Sequence, residues 1–494
     1  MKAKIYLTAL LSIGFLACDD SLDVEAETFV SGSAYYKNAE QVESAVNGAY
    51  SALQDLYTNQ NLWFFTETRS DNTTYQYNPS NRCCITREQI DDFLDNSTNS
   101  YTEGLWNGLY NGVQQTNVII DRVNGMDILD ETEKNQFIGE AKFLRGLFYF
   151  HLVRLFGDIP LRVEEVAFPS DAFTDKKATR EQVYNQIILD VQDAIAKFPE
   201  QYAGTDVGRA TKGAALTLLG DIYLTLKDYP NAIENLKKVT QLGYQLVPEY
   251  ADIFDPTNKN NSESIFEVQY NSGVEGEFSN FIYNFGPFSA GLYLTGFQGQ
   301  LGGLNIPTPS IINAYEAGDK RKNASIGYYS DPVNSNNFES FPGDSIPFIK
   351  KYHHPPYEIV GRTNENCPVY RYAGALLMLA EALNEEGETG EAAVYLNLVR
   401  ERAGLKPLIG LGQDAFKDVV YHEERVELAF ENKRWYDLLR TDRAIEVMTE
   451  HGIEERERLA RVGSESFVIE PYKLVYPIPQ SEIRLNGFEQ NLGY

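Results

Sequence analysis

The chain of 494 residues has few groups able to form covalent or metal cross-links: four cysteines and five histidines. Four cysteines are too few for a disulfide framework at this length, so a hydrophobic core must hold the fold. No histidine stands at ligand spacing from the adjacent Cys83 and Cys84, which excludes a zinc site there. The two could form a strained vicinal ring, one of them could reach Cys367, or all three could be free buried thiols.

Positive charge is also scarce, with 43 Lys and Arg against 71 Asp and Glu, for a formal net charge of −28. A surface this acidic excludes nucleic acid binding by electrostatic attraction to phosphates. The chain is nevertheless rich in large side chains, with 32 Tyr and 27 Phe. That content excludes a disordered acidic chain and predicts a globular protein with a large core.

Long hydrophobic runs are absent except at the start, where Lys2 and Lys4 precede an apolar stretch from residue 5 to residue 17. This stretch is too short to span a membrane but fits a secretory signal peptide. Because Cys18 follows directly, residues 1–17 are predicted to be a lipoprotein signal and Cys18 the lipidated residue. The alternative is an ordinary signal peptide with a cysteine near the cut. Residues 18–34 then form an acidic tether, and residues 35–494 a single folded body.

Catalytic signatures are missing: there is no nucleophile elbow, no His-Glu-x-x-His, no phosphate-binding loop and no paired-cysteine motif. No motif therefore points to a particular enzyme class. A secreted glycoside hydrolase stays as a remote alternative, since abundant carboxylates could supply an acid and base pair.

Helical periodicity dominates what is present. Apolar residues recur at helical spacing in residues 42–56, 105–123 and 137–155. Two segments also fit the tetratricopeptide pattern, in which small residues let paired helices approach. One has Gly220 and Ala232 at the required offsets, and the other has Ala380 and Ala392. A third pair joins the helix of Gly146 to the segment 184–198, and a fourth uses a helix near residues 416–439. The predicted fold class is mostly α, with about four helix pairs and minor β structure.

Two segments, residues 57–100 and 255–370, lack this periodicity and are rich in Asn, Ser, Gly, Tyr and Phe. The alternating run 264–270 inside the second predicts a strand. Since loops on a rigid scaffold commonly carry binding sites, these inserts are predicted to hold the functional site.

Several local patterns together resemble one family, the SusD/RagB-like outer-membrane lipoproteins of Bacteroidetes. They lie in that family's order along the whole chain. These patterns are Cys18 with its following acids, the Phe-Gly-Asp-Ile-Pro run at 156–160, the Asn-Ser-Glu-Ser run at 261–264, the helix ending Arg-Glu-Arg-Ala-Gly-Leu at 400–405, the Glu-Arg-Val-Glu run at 424–427, and the ending Gln-Asn-Leu-Gly-Tyr at 490–494.

The resemblance implies a surface lipoprotein, lipid-anchored to the outer membrane and facing the exterior. Such a protein captures oligosaccharide and delivers it to a SusC-like TonB-dependent transporter. A peptide-binding, RagB-like importer subunit is the alternative. The resemblance implies a binding protein without enzymatic activity and without a cofactor, and structural calcium is not predicted.

Sugar rings present apolar C–H faces and a rim of hydroxyls, so a glycan site needs aromatic rings beside polar side chains. The inserts supply both, and the family places ligand contacts after an acidic position that matches Glu67. The alternative is that none of these residues binds a ligand. In that case the aromatic side chains pack the loops onto the scaffold and the polar side chains stabilise turns. The predicted ligand-binding residues are Asp71, Asn72, Tyr75, Tyr77, Arg82, Tyr283, Phe285, Phe288 and Tyr293. Trp106 and Trp435 are predicted to be core residues, and Trp63 is predicted to be packed.

Overall fold

The computed structural model describes residues 36–77, 85–173, 176–330 and 345–494. Outside these ranges lie the predicted signal peptide, the predicted tether, the predicted lipidation site Cys18, and also Arg82, Cys83 and Cys84. Their roles remain predictions. The fourth cysteine, Cys367, is buried and carries a free thiol.

Helices form most of the described chain, and side-chain caps fix several of their starts. Asp130 and Thr179 each begin a helix with a capping box, in which side chain and backbone satisfy each other's free hydrogen-bonding groups. The α-helices are α1 (Ala39–Thr58), α2 (Ile85–Asp91), α3 (Ser100–Asn124), α4 (Glu131–Phe156), α5 (Arg180–Lys197), α6 (Lys212–Thr225), α7 (Tyr229–Val239), α8 (Phe281–Phe285), α9 (Gly291–Thr295), α10 (Pro309–Ala314), α11 (Lys320–Ser325), α12 (Tyr372–Glu385), α13 (Thr389–Arg402), α14 (Gln413–Glu427), α15 (Arg434–Arg440), α16 (Ala444–Arg458) and α17 (Gln480–Asn486). A π-helix, Phe64–Thr68, follows α1.

The strands are short and pair only in twos among the described residues. They are β1 (Thr73–Thr74), β2 (Ile159–Pro160), β3 (Lys177–Ala178), β4 (Ser264–Val268), β5 (Ile306–Pro307), β6 (Ile326–Ser330), β7 (Ser345–Ile349) and β8 (Cys367–Arg371). All four pairings are antiparallel: β1 with β5, β2 with β3, β4 with β8, and β6 with β7. The mostly α fold with minor β structure is thereby confirmed, as is the strand predicted at 264–270.

The two tetratricopeptide-like segments form the expected helix pairs. Helix α6 packs against α7 and α12 packs against α13, while α7 also contacts α12, so the two pairs are neighbours in space despite the long sequence between them. Gly220 explains the close approach within the first pair. A Cβ atom there would lie 2.6 Å from Cγ of Leu236 on the facing helix, well inside van der Waals contact.

The third predicted pair is also present, since α4 packs along α5 and Gly146 faces Val191 across their contact. The predicted fourth helix is wrong in extent. Residues 416–439 form two helices, α14 and α15, because the backbone between them adopts positive φ at Phe430 (69°) and Asn432 (62°). This left-handed conformation ends a right-handed helix. Helix α14 packs against α12.

One continuous hydrophobic cluster runs through the scaffold from Val42 to Ile478. Trp63, Trp106 and Trp435 belong to it and are each at most 2% exposed, as predicted. Within the described ranges no helix is long and apolar enough to cross a bilayer. Those ranges also contain no group of three or more His, Cys, Asp or Glu side chains arranged to hold a metal ion.

The large insert is tied to the scaffold by a buried charge network. Its first and last strands, β4 and β8, pair with each other, so the segment between them leaves and re-enters the scaffold at one place. At that place Glu427 of α14 accepts hydrogen bonds from Arg321, Arg371 and Arg402. Burial opposes ionisation of Glu427, but the three guanidinium groups outweigh it and hold its pKa below the ordinary value. The network therefore anchors Arg321 of the insert and Arg371 at its last strand to α14.

Candidate functional site

The fold brings the two predicted binding loops together. Strand β1 pairs with β5, placing Thr73 opposite Pro307 and Thr74 opposite Ile306. The side chain of Gln76 extends the contact, because its Oε1 accepts a hydrogen bond of 2.8 Å from the backbone N–H of Phe288. The loop after Glu67 and the loop around residues 283–293 thus lie against each other.

Asp71 does not face that surface. Its side chain is buried, with Oδ1 2.7 Å from Nε of Arg434 and Oδ2 2.8 Å from Nη2 of Arg425. Burial would raise the pKa of Asp71, but the two guanidinium groups outweigh it and hold the pKa well below its ordinary range. A buried carboxylate engaged by two arginines offers no group to a ligand, so Asp71 is a scaffold residue rather than a ligand contact.

Asn72 is also buried, and both ends of its amide are engaged. Its Nδ2 donates to Oε1 of Glu67 at 2.9 Å, and its Oδ1 accepts from Nε of Arg425 at 2.9 Å. Burial raises the pKa of Glu67 to about 7, although Asn72 and the Phe430 N–H partly stabilise the charged form. Asn72 therefore joins the first loop to α14 and is not available to a ligand.

Tyr75 and Tyr77 lie beside Arg461. Tyr75 is 5% exposed, donates to Oδ2 of Asp92 at 3.1 Å and has the Arg461 guanidinium 4.2 Å from its ring centre. Its enclosed ring presents no face to a sugar, so Tyr75 is a packed residue rather than a ligand contact. Tyr77 is half-buried, with the same guanidinium 5.5 Å from its ring centre. Its partial exposure leaves the prediction for Tyr77 open.

The second loop contains one buried and two half-buried predicted contacts. Phe285 is 2% exposed and meets Trp63 edge to face at 4.9 Å between ring centroids, which makes it a core residue. Tyr283 and Phe288 are half-buried. Tyr283 packs 6.2 Å from Tyr357, and Phe288 covers Gly303, where a Cβ atom would lie 2.8 Å from the phenyl ring.

Tyr293 is the predicted residue that the structure presents most openly, with 70% of its surface exposed. It lies on the short helix α9, and its ring is 5.3 Å from that of Tyr329 on β6, at an angle of 48°. Tyr328 and Leu292 beside them are also exposed. We call Tyr293 and Tyr329 the aromatic platform.

The platform rests on a rigid base. Behind it lies a separate hydrophobic cluster of Ile282, Ala290, Leu294, Leu301 and Phe348. The hydroxyl of Tyr329 donates to the Ser289 carbonyl at 3.2 Å, and Nε2 of His353 donates to the Leu294 carbonyl at 2.8 Å. A preformed surface of this kind loses little conformational freedom when a ligand binds.

The platform can stack against the apolar face of a ring, and such stacking contributes about 0.5–1.5 kcal/mol per aromatic pair beyond area burial. The sequence analysis missed Tyr328 and Tyr329. Their signal was present in the strand-like run Ile326–Ser330, where exposed and covered side chains alternate. Only the ring contact of Tyr329 with Tyr293 shows that this strand lies near α9.

Two family profiles match the chain, in different parts. The profile described as "SusD family" covers residues 326–494. The profile described as "Starch-binding associating with outer membrane" covers residues 20–224. Together they include the second tetratricopeptide-like pair, α12 and α13, most of α6 from the first pair, and the C-terminal motifs.

Relatives and solved structures extend the similarity across the chain. "SusD-like protein P25" of Formosa agariphila is 25% identical, with 98% of this chain and 97% of the relative aligned. "SusD-like protein P2" of the same organism is 28% identical over 92% of this chain and 93% of its own. A solved structure titled "Laminarin binding SusD-like protein" is 27% identical, covers 93% of this chain and 100% of its own, and superposes with a TM-score of 0.78.

Proposed function

Because the chain belongs to the SusD/RagB family, we propose that it captures oligosaccharide at the cell surface and passes it to a TonB-dependent transporter. The single observation that carries the capture step is the exposed ring of Tyr293 beside the half-buried ring of Tyr329, on a base that supports both. The chain is a binding protein rather than an enzyme, as its family and structural neighbours are.

The names of the relatives support a glycan as the ligand. One structural neighbour is titled as laminarin-binding, and the profile of residues 20–224 describes starch-binding proteins that associate with the outer membrane. Outer-membrane association agrees with the lipidation that we propose at Cys18. The anchored protein then faces the cell exterior. The transporter is a SusC-like barrel, and the oligosaccharide passes from the platform into it. No cofactor takes part in this function.

Weak binding suits such a transfer. An open surface with a few aromatic rings supports dissociation constants in the micromolar to millimolar range, because each stacked ring contributes only about 0.5–1.5 kcal/mol beyond area burial. A bound chain can then leave quickly for the next site.

Affinity gel electrophoresis tests the capture step with the soluble chain, residues 19–494, in gels containing single polysaccharides, laminarin and starch among them. We expect one glycan to retard the protein. Tyr293→Ala removes the exposed ring and weakens binding by about 2- to 12-fold, the equivalent of 0.5–1.5 kcal/mol.

Tyr395→Ala is the control, because Tyr395 is a half-buried tyrosine on α13 of the scaffold, outside both binding loops; it leaves the retardation unchanged. Retardation that survives Tyr293→Ala and Tyr329→Ala together refutes the platform as the site. If no glycan retards the protein and peptides co-purify with it, the proposed ligand is a peptide instead of an oligosaccharide.

Transfer is tested separately. The full-length lipoprotein, extracted from outer membranes in mild detergent, is expected to co-purify with a large barrel protein. Its isolation without one contradicts the transporter part of the proposal and leaves capture untouched.

A further inference from the structure

A second cleft lies where two distant motifs meet, at the end of α4 and the end of the chain. It has a volume of about 620 Å³. One wall is the Gly157–Asp158 turn with the start of α5, and the other is the segment 471–475 with the tail 490–493. The capture function does not involve either motif.

The walls are held in place by hydrogen bonds. Asn491 donates through Nδ2 to the carbonyls of Phe156 and Tyr476, both at 2.9 Å. The amide of Gln490 exchanges hydrogen bonds with the backbone of Ile478, at 2.8 Å and 2.9 Å. The tail is therefore fixed against the scaffold, and the cleft is preformed, as small-molecule sites usually are.

Two cations line this cleft in a protein whose formal charge is −28. Arg180 is exposed, and in the described part of the chain no carboxylate lies within ion-pair distance of its guanidinium. Nζ of Lys177 donates one of its three N–H groups to the Glu489 carbonyl. The one carboxylate of the lining, Asp158, accepts the backbone N–H of Arg180 at 2.9 Å.

Gly157 keeps the Arg180 guanidinium close to the backbone. Its φ is 78°, and a Cβ atom there would lie 3.1 Å from Nη2 and 3.2 Å from Nε of Arg180. A side chain at position 157 would displace the guanidinium from the cleft. Besides the amides of Gln490 and Asn491, the lining has an apolar or aromatic part formed by Pro471, Tyr472, Val475 and Leu492.

We propose that this cleft binds an acidic saccharide unit, either a uronic acid or a sulfated sugar. Arg180 binds the anionic group, since a guanidinium matches the geometry of carboxylate and sulfate oxygens with paired N–H donors. Lys177 adds a second donor, and the apolar wall of Pro471 and Tyr472 covers the C–H face of the sugar ring. The size of the cleft suits a ligand of one to three sugar units. This site is separate from the aromatic platform.

Isothermal titration calorimetry of the soluble chain with four probes tests the assignment: glucuronic acid, glucose 6-sulfate, glucose and inorganic sulfate. We expect the two acidic sugars to bind and glucose not to bind. Arg180→Gln keeps a polar side chain at the start of α5 and weakens the acidic sugars by about tenfold or more, as expected for the loss of a charge-assisted hydrogen bond. Raising the salt concentration weakens binding in the same direction.

Arg122→Gln is the matched control, because Arg122 is a surface arginine already paired with Glu165; it leaves acidic-sugar binding unchanged. Tyr293→Ala also leaves it unchanged, so failure here and failure of the platform are distinguishable. Glucose binding as tightly as the acids, or full binding by an Arg180→Gln protein with the wild-type unfolding curve, overturns the proposal. Inorganic sulfate matching glucose 6-sulfate reduces the cleft to an anion site and also overturns it.

Discussion

Replacing Asp71 by alanine distinguishes a scaffold carboxylate from a ligand contact. The side chain is 3% exposed and lies 2.7 Å from Arg434 and 2.8 Å from Arg425. Its removal leaves two buried guanidinium groups without a counter-charge. Breaking a buried ion pair by removing one partner costs about 3–5 kcal/mol. We expect a decrease of that size in the free energy of unfolding, measured by urea denaturation followed by tryptophan fluorescence.

Two further variants make this measurement specific. Asp71→Asn keeps the shape but loses the charge, so we expect it to destabilise nearly as much. Glu234→Ala removes one member of an exposed pair with Lys238 and changes the free energy of unfolding by about 0.5 kcal/mol or less.

The pH dependence has a definite sign. Because the folded-state pKa of Asp71 lies below its ordinary value of 3.8, its contribution to stability is present at higher pH. That contribution is lost as the pH falls below about 4. The advantage of the wild type over Asp71→Asn is therefore expected to shrink in acid. A loss below about 1 kcal/mol at pH 7 for Asp71→Ala, with glycan retardation abolished, would refute the scaffold assignment and restore Asp71 as a contact.

Three other outcomes are expected. Gly220→Ala forces a methyl group against Leu236 and lowers the free energy of unfolding by about 1–3 kcal/mol. In the control Gly390→Ala the methyl group meets open space, so this steric loss is absent. Equal losses in the two variants would contradict the packing argument. Glu67 has a folded-state pKa raised to about 7, so its contribution to stability is present below about pH 4.5 and is lost as the pH rises through 7. In urea titrations, the free energy of unfolding of Glu67→Gln minus that of the wild type is then expected to be more favourable at pH 8 than at pH 5. A difference that does not change with pH would contradict the raised pKa of Glu67. Cys367 is 1% exposed and burial raises its thiol pKa, so mass spectrometry is expected to find its peptide labelled by iodoacetamide only under unfolding conditions; rapid labelling in buffer contradicts that burial.

The scaffold could be predicted from sequence because its signals are local. Gly220 and Ala232 stand at fixed offsets within one helix pair, and the same spacing recurs at Ala380 and Ala392. Each pair reveals itself within about 30 residues, since the contact that needs a small residue is made to the adjacent helix. The end of α14 was missed because positive φ at Phe430 and Asn432 has no strong sequence signal.

The site was harder to predict because exposure depends on partners far away in the chain. Asp71 and Asn72 have the composition of a polar binding loop, yet Arg425 and Arg434, more than 350 residues later, enclose them. Tyr75 is enclosed in the same way by Arg461. Nothing near residue 71 in the sequence indicates which arginines will reach it.

Tyr293 differs from these residues for a physical reason. The helix that carries it is fixed from below, through Leu294 and the His353 hydrogen bond to its carbonyl, so the adjacent side chain projects outward. In the first loop the backbone itself is buried between β5 and α14, so the polar side chains must be satisfied internally. The loop around residues 283–293 is supported from one side only and therefore retains an exposed ring for stacking. The loop after Glu67 is enclosed on both sides and therefore becomes part of the base beneath that ring.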